Sequence, residues 1–233
     1  MRYSINGTDL GNLNNKIMCL YTKYIKNKKY QPNRKNGFNA PVCEDRRLLL
    51  VPAKCGRCIE CRKARKREWV IRLNEELSNN PEKATFWTLT ISNEEYEKLK
   101  SDSKKKDKDS ICKLAVKRML ERIRKKTKRS IRHWFITELG ENTGRIHLHG
   151  ICWGNPDLVK ENWKYGFVFQ GNTCNETTVN YVVKYMLKES PIDRNYIGIV
   201  LCSAGIGKGY EHSYNSKRNA HIVTGKQIGR AHV

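Results

Sequence analysis

Residues 132–153 contain two apolar segments of strand length, joined by a short polar loop that has a glycine at each end. The segments are "RHWFITEL" (132–139) and "RIHLHGICW" (145–153), and the loop is "GENTG". Such a loop between two β-prone segments predicts an antiparallel hairpin. Amphipathic helical patterns lie elsewhere in the chain, and further strands are predicted at 46–51, 84–92 and 196–203. We therefore expect an α+β fold, with an antiparallel sheet and helices packed on a face.

The second strand of this hairpin carries two histidines on one side. His147 and His149 are two residues apart, and alternate side chains of a strand point to the same face. Glu138 lies near the end of the first strand, so antiparallel pairing can bring its carboxylate beside the imidazoles. Two imidazoles and one carboxylate can bind a divalent metal ion and leave positions open for substrate oxygen atoms. The alternative is three ordinary polar side chains on the solvated face of a hairpin.

A pair of tyrosines is the second candidate for chemistry. The segment "TTVNYVVKYMLKES" (177–190) predicts a helix, on which Tyr181 and Tyr185 lie one turn apart on the same side. Lys184 and Lys188 each follow a tyrosine by three residues. A neighbouring ammonium favours the phenolate of a group whose ordinary pKa is about 10, and it can offset charge on an attacked phosphate. Core packing with the hydroxyls at the rim is the alternative.

The charge of the chain restricts its partners. Its 46 Lys and Arg against 23 Asp and Glu give a net charge of +23, which indicates a polyanionic partner. Nucleic acid is the first candidate and an anionic membrane surface the second. We see no apolar segment of the ~20 residues that span a bilayer and no signal-peptide core, so we expect a cytoplasmic protein without a membrane partner. The candidate DNA ligands are Arg62, Arg65, Lys66 and Arg145.

The motif "CGRCIEC" places three thiols at two-residue gaps. Cys55, Cys58 and Cys61 can share a tetrahedral zinc ion if a fourth ligand comes from elsewhere, and Cys19 and Cys43 are the candidates. An iron–sulfur cluster could use the same ligands. Unliganded thiols are the remaining alternative.

Three motifs in this order resemble those of HUH-type rolling-circle endonucleases. They are "FWTLT" (86–90), a glutamate nine residues before "HLH", and "YVVKYMLK". The paired tyrosines resemble the two-tyrosine branch of that superfamily. Together with "CGRCIECRKARKREWVIR", they make the chain similar to replication initiators of microviruses of the gokushovirus type, from about residue 50 to about residue 210.

The resemblance implies a fold with a ferredoxin- or RRM-like core and an activity, the nicking of single-stranded DNA at an origin. Glu138, His147 and His149 would hold Mg²⁺ or Mn²⁺, and Tyr181 or Tyr185 would attack the phosphate. The products would be a 5′-phosphotyrosine and a free 3′-OH, and the second tyrosine would cut the regenerated junction. The resemblance also implies host helicase and polymerase as partners, the host bacterial cytoplasm as the location, and Cys19 as the fourth zinc ligand.

We expect three regions in the chain. Residues 1–62 would form an N-terminal segment with the zinc-binding cysteines, and residues 63–210 the endonuclease domain. Residues 211–233 would be a disordered or artefactual tail, because "IGRAHV" resembles a translated sequencing adapter. Two other functions compete: a non-catalytic zinc-containing nucleic-acid-binding protein, and a metal-dependent phosphohydrolase. The phosphohydrolase would leave the tyrosines and the positive charge without a role.

Overall fold

The computed structural model describes residues 19–214, 216 and 217. The chain forms two compact units, residues 1–64 and 65–233, and the boundary falls inside helix α1 (Ile59–Asn79). Of the tail predicted from residue 211, the structure describes the end of a 3-10 helix, Lys208–His212, and a few residues beyond it. Residues 215 and 218–233 lie outside the described part. The predicted domain boundaries stay predictions.

The first unit contains a small antiparallel sheet. Strand β1 (Lys23–Lys26) pairs with strand β2 (Leu50–Ala53). The strand predicted from residue 46 begins only at Leu50, and its first four residues form a 3-10 helix, so that part of the prediction is wrong. The reason is local: the Asp45 carboxylate accepts the backbone N–H of Arg47 at 2.9 Å and so starts the turn.

The second unit contains a five-stranded sheet in which every neighbouring pair is antiparallel and the order is β6-β3-β5-β4-β7. Its strands are β3 (Ala84–Thr90), β4 (His133–Leu139), β5 (Ile146–Trp153), β6 (Val168–Thr173) and β7 (Val200–Cys202). Its further helices are α2 (Asn93–Asp102), α3 (Lys108–Thr127), α4 (Asp157–Asn162) and α5 (Glu176–Val183). The α+β prediction is confirmed, although α4 and β6 were not predicted and β7 covers only the last part of 196–203.

Helices cover both faces of this sheet rather than one. On one face Leu148 of the central strand β5 packs in a core formed with α2, α3 and α4. On the other face Ile151 packs in a second core with Trp69 of α1 and Val182 of α5. Past His149, β5 has apolar residues on both of its sides, so it requires cover on both. The histidines lie at the end of the second core, under α5.

Candidate active site

The two histidines are held by strand β3. His149 pairs in register with Thr88, and His147 with Thr90. In each pair the threonine Oγ1 lies 3.0 Å from the imidazole Nδ1. With Nδ1 occupied, Nε2 is the ring nitrogen left to face a ligand, which is the usual way a neighbouring side chain orients a metal-binding histidine. Sequence reasoning missed these threonines, although "TLT" repeats the two-residue spacing of "HLH".

Glu138 joins the histidines from strand β4. It pairs in register with His147, and its Oε2 lies 2.7 Å from His149 Nε2. Its other oxygen, Oε1, contacts the ammonium of Lys188, which also lies 3.1 Å from Glu141. Burial acts to raise the pKa of Glu138, but the bonds from His149 and Lys188 outweigh it and hold that pKa below its usual value. The carboxylate is therefore ionised and paired on both oxygens.

His147 is kept in its neutral form. Burial lowers the pKa of His147, and the neighbouring His149 lowers it further. Neutral imidazole is the form that binds metal ions. The Nε2 atom of His147 faces Gly140: a Cβ built on that glycine would lie 2.8 Å from it. The absence of a side chain at residue 140 therefore makes room for the imidazole.

The chemistry of these three donors fits a divalent metal, but their spacing in this structure is that of an ion-paired network. Among the described residues, only one group of three or more potential ligand atoms lies within 4.8 Å of one another, and it is a group of cysteines. The rings of His147 and His149 are 6.2 Å apart between centroids. Lys188 contacts the carboxylate from the side of the tyrosine segment.

The tyrosines lie directly above this network. The helix predicted over 177–190 is α-helical only to Val183, and the chain then tightens into a 3-10 helix, Lys184–Met186, as often happens at helix ends. The ring of Tyr185 stacks on that of His149, with centroids 3.9 Å apart and planes at 5°. The hydroxyls of Tyr181 and Tyr185 lie 2.9 Å apart. The structure thus brings the tyrosine pair and the histidine pair together.

The two tyrosines have different environments. Tyr185 is 9% exposed and Tyr181 is 42% exposed. Burial raises the pKa of Tyr185, and its hydrogen bond with Tyr181 adds to the effect, so the expected lowering by a lysine is not found for this phenol. The ammonium of Lys184 lies 3.9 Å from the centroid of the Tyr181 ring, and that of Lys188 lies 5.7 Å from the centroid of the Tyr185 ring. Tyr181 is the more accessible hydroxyl.

Four cysteines of the first unit converge at a second site. The Sγ atoms of Cys19, Cys55, Cys58 and Cys61 all lie within 4.8 Å of one another. Two of the sulfur pairs are 3.9 Å apart. Tetrahedral zinc with Zn–S bonds of about 2.3 Å places its sulfur ligands about 3.8 Å apart, so the set fits a structural metal such as zinc. Cys43 lies outside the set, and its thiol donates to the Asp45 carbonyl at 3.0 Å.

Backbone amides prepare this set for a metal. The N–H of Cys58 points to Cys55 Sγ at 3.2 Å, and the N–H of Cys55 points to Cys19 Sγ at 3.3 Å. The second of these bonds lowers the pKa of Cys19, and burial raises the pKa of Cys61 to about 12. Thiolate is the form that binds zinc, and N–H donors stabilise it.

The candidate DNA ligands differ in exposure. Arg62 is buried, Lys66 is half-buried, and Arg65 is exposed. Arg145 is exposed, and its Nε donates to Asn93 Oδ1 at 3.2 Å, which places it at the hairpin end that also carries His147. Their roles as DNA ligands stay predictions.

One comparison with known proteins gives a match. A family model of replication-associated proteins, of the ORF2 type, matches residues 84–190, from the start of β3 to just past the tyrosine pair. The match supports a replication initiator, and with it a role in replication and in DNA binding. Neither the curated proteins nor the solved structures give a match. In the part of the chain that the structure describes, no helix is long and apolar enough to cross a membrane.

Proposed function

We propose that the protein is a rolling-circle replication initiator that nicks and joins single-stranded DNA at an origin, as HUH endonucleases of the microvirus type do. The observation that carries the proposal is the stacking of Tyr185 on His149, at 3.9 Å between ring centroids, while Glu138 bonds the same imidazole. A nucleophile, two imidazoles and a carboxylate thus share one place, and all lie inside the matched residues 84–190.

Glu138, His147 and His149 would hold Mg²⁺ or Mn²⁺. When bound, such an ion supplies Lewis-acid polarisation of the scissile phosphate and neutralises developing charge. Thr88 and Thr90 keep the imidazoles oriented by their contacts with Nδ1. The ammonium of Lys188 now neutralises the Glu138 carboxylate, so it has to move away before an ion can take its place.

Tyr181 makes the first attack, because its hydroxyl is exposed while Tyr185 is buried. Its Oη forms a bond to phosphorus and the P–O3′ bond breaks. The phenol loses its proton and the departing 3′ oxygen gains one, which leaves a 5′-phosphotyrosine and a 3′-OH. Lys184, close to the Tyr181 ring, offsets charge on the phosphate. Tyr185 serves the second cut, at the regenerated junction.

We extend the proposal to the partners that the motifs imply. The four cysteines hold a structural zinc ion, the substrate is origin DNA, and Arg65, Lys66 and Arg145 are phosphate ligands. The host helicase and polymerase extend the free 3′-OH in the bacterial cytoplasm.

The test is covalent capture of labelled single-stranded DNA that carries a cognate phage origin. We expect a protein–DNA adduct on denaturing electrophoresis in the presence of Mn²⁺, and none without a divalent metal. The double variant Tyr181→Phe/Tyr185→Phe loses the adduct. The matched control Tyr214→Phe, an exposed tyrosine outside the site, keeps it.

The second candidate function is a non-catalytic, zinc-containing nucleic-acid-binding protein. The pairing of both Glu138 oxygens, with His149 and Lys188, favours it, because a structural network has this form. DNA binding without any adduct, across Mg²⁺ and Mn²⁺ concentrations, would decide for this candidate.

A further inference from the structure

Two phenylalanines at the edge of the sheet are exposed to solvent beside the candidate active site. Phe167 is 67% exposed and Phe169 is 49% exposed. Phe169 lies on the edge strand β6 in register with Thr88, the residue whose hydroxyl contacts His149. The carbonyl of Phe167 accepts the backbone N–H of Thr90 at 2.9 Å. Between the two phenylalanines, Val168 packs into the core on the opposite face, so both rings belong to the face of the histidines.

An aromatic surface connects these rings with the tyrosines. On the neighbouring strand, the ring of Phe86 meets that of Tyr181 edge to face, with centroids 5.6 Å apart. Phe86 lies against Gly171 of β6, where a Cβ would come within 2.7 Å of its ring. The absence of a side chain there lets Phe86 lie over the edge strand. Phe167, Phe169, Phe86 and Tyr181 therefore form one continuous stretch of rings, which we call the aromatic platform.

We propose that the aromatic platform stacks the bases of single-stranded DNA next to the scissile phosphate, with Phe167 and Phe169 as its principal stacking residues. The inference rests on the proposed function and names how that site takes its substrate. Proteins that bind single strands combine aromatic rings, on which bases stack, with cations that follow the backbone. Here the exposed Lys164 and Lys184 lie near the two ends of the platform in sequence, and the chain carries a net charge of +23. Neighbouring aromatic rings in water are unusual unless a ligand covers them.

An introduced tryptophan tests the platform directly. The five native tryptophans are all buried, so Phe169→Trp adds an exposed indole whose emission can be followed alone by difference. We expect unlabelled single-stranded DNA, without added Mg²⁺ or Mn²⁺, to quench this emission as a base stacks on the ring. The matched control is Ile71→Trp, at a helix position that is 40% exposed. Equal quenching in both variants, or DNA binding by anisotropy without quenching of Phe169→Trp, would overturn the proposal.

Affinity gives the second arm. In the double variant Phe167→Leu/Phe169→Leu the apolar volume remains but the rings are lost, and we expect single-stranded DNA to bind about 5- to 100-fold more weakly. The variant Phe167→Tyr/Phe169→Tyr retains stacking and should bind within about threefold of the original chain. Unchanged affinity of the leucine variant, with an unchanged melting temperature, would refute the platform.

The outcomes separate this inference from the proposed function. Quenching without a covalent adduct keeps the platform and removes the nickase. An adduct without quenching keeps the nickase and removes the platform. Because β6 is an edge strand, a second copy of the chain is the competing occupant of these rings. Dimers that dissociate in the leucine variant, seen by light scattering in the absence of DNA, would assign the rings to that copy instead.

Discussion

Adding one methyl group at residue 140 tests whether the position of His147 matters for function. A Cβ at Gly140 would lie 2.8 Å from His147 Nε2. Carbon and nitrogen atoms that are not bonded to each other settle at about 3.4–4 Å, so in Gly140→Ala the imidazole nitrogen has to move by at least about 0.6 Å. The atom that yields is the end of a side chain, and the backbone of Gly140 is not among the glycines with positive φ.

This perturbation should affect the site far more than the fold. A glycine-to-alanine change in an accessible backbone conformation stabilises a protein by about 0.4–1 kcal/mol, which offsets the cost of moving one ring. We therefore expect the free energy of unfolding to stay within about 1 kcal/mol of that of the original chain. A metal ligand displaced by this distance typically costs about 10- to 100-fold in metal affinity or activity.

The assay is the concentration of Mn²⁺ that gives half-maximal formation of the protein–DNA adduct, measured beside the melting temperature. Gly209→Ala is the matched control, since a Cβ there meets its nearest neighbour at 3.4 Å, an ordinary contact. An unchanged Mn²⁺ requirement in Gly140→Ala would show that His147 Nε2 does not serve the reaction, and the assignment of His147 as a ligand would fall.

Three further predictions concern the zinc site, the histidine support and the pH dependence of stability. Cys19→Ser should lose bound zinc, while Cys43→Ser keeps about one ion per chain by metal analysis; equal zinc in both would contradict the set of four thiols. Thr90→Val should reduce adduct formation about 10- to 100-fold with the fold intact by circular dichroism; full activity would show that the contact with Nδ1 is dispensable. Glu76 accepts bonds from Arg132 at 2.8 Å and from the backbone, and although burial acts to raise its pKa, these bonds hold that pKa below its usual value. The resulting stabilisation is present above the unfolded pKa of about 4.3 and is lost as the pH falls through the lower folded pKa, so Glu76→Gln should cost about 1–3 kcal/mol at pH 7 and progressively less in acid, by urea unfolding; a pH-independent cost would contradict it.

Local pattern was enough to predict the hairpin and the meeting of its polar residues. Alternation places His147 and His149 on one side of β5, and a short loop forces Glu138 to return opposite them. The two supporting threonines depend on which strand lies next to β5. That choice is made by the packing of the whole sheet, which one strand's sequence does not encode.

Contacts distant in sequence explain the differences around Glu138 and Tyr185. The spacing of the lysines suggested an ammonium beside each phenol, but Lys188 contacts Glu138 because the helix tightens after Val183 and redirects the chain. Burial of Tyr185 against His149 then decides the direction of its pKa shift. In the same way, Cys19 joins three thiols that lie 36 or more residues away, a pairing that spacing alone left open between Cys19 and Cys43.

Peptide mapping of the adduct measures the central claim most directly, because Lys184 separates the two candidate nucleophiles. Trypsin cuts after Lys164, Lys184 and Lys188, so Tyr181 lies in peptide 165–184 and Tyr185 in peptide 185–188. After one turnover on origin DNA with Mn²⁺, followed by nuclease digestion, we predict a 5′-linked nucleotide on peptide 165–184 by mass spectrometry. A nucleotide on peptide 185–188 alone would contradict the assignment of the first attack to Tyr181. A nucleotide on neither peptide would contradict the tyrosine mechanism itself.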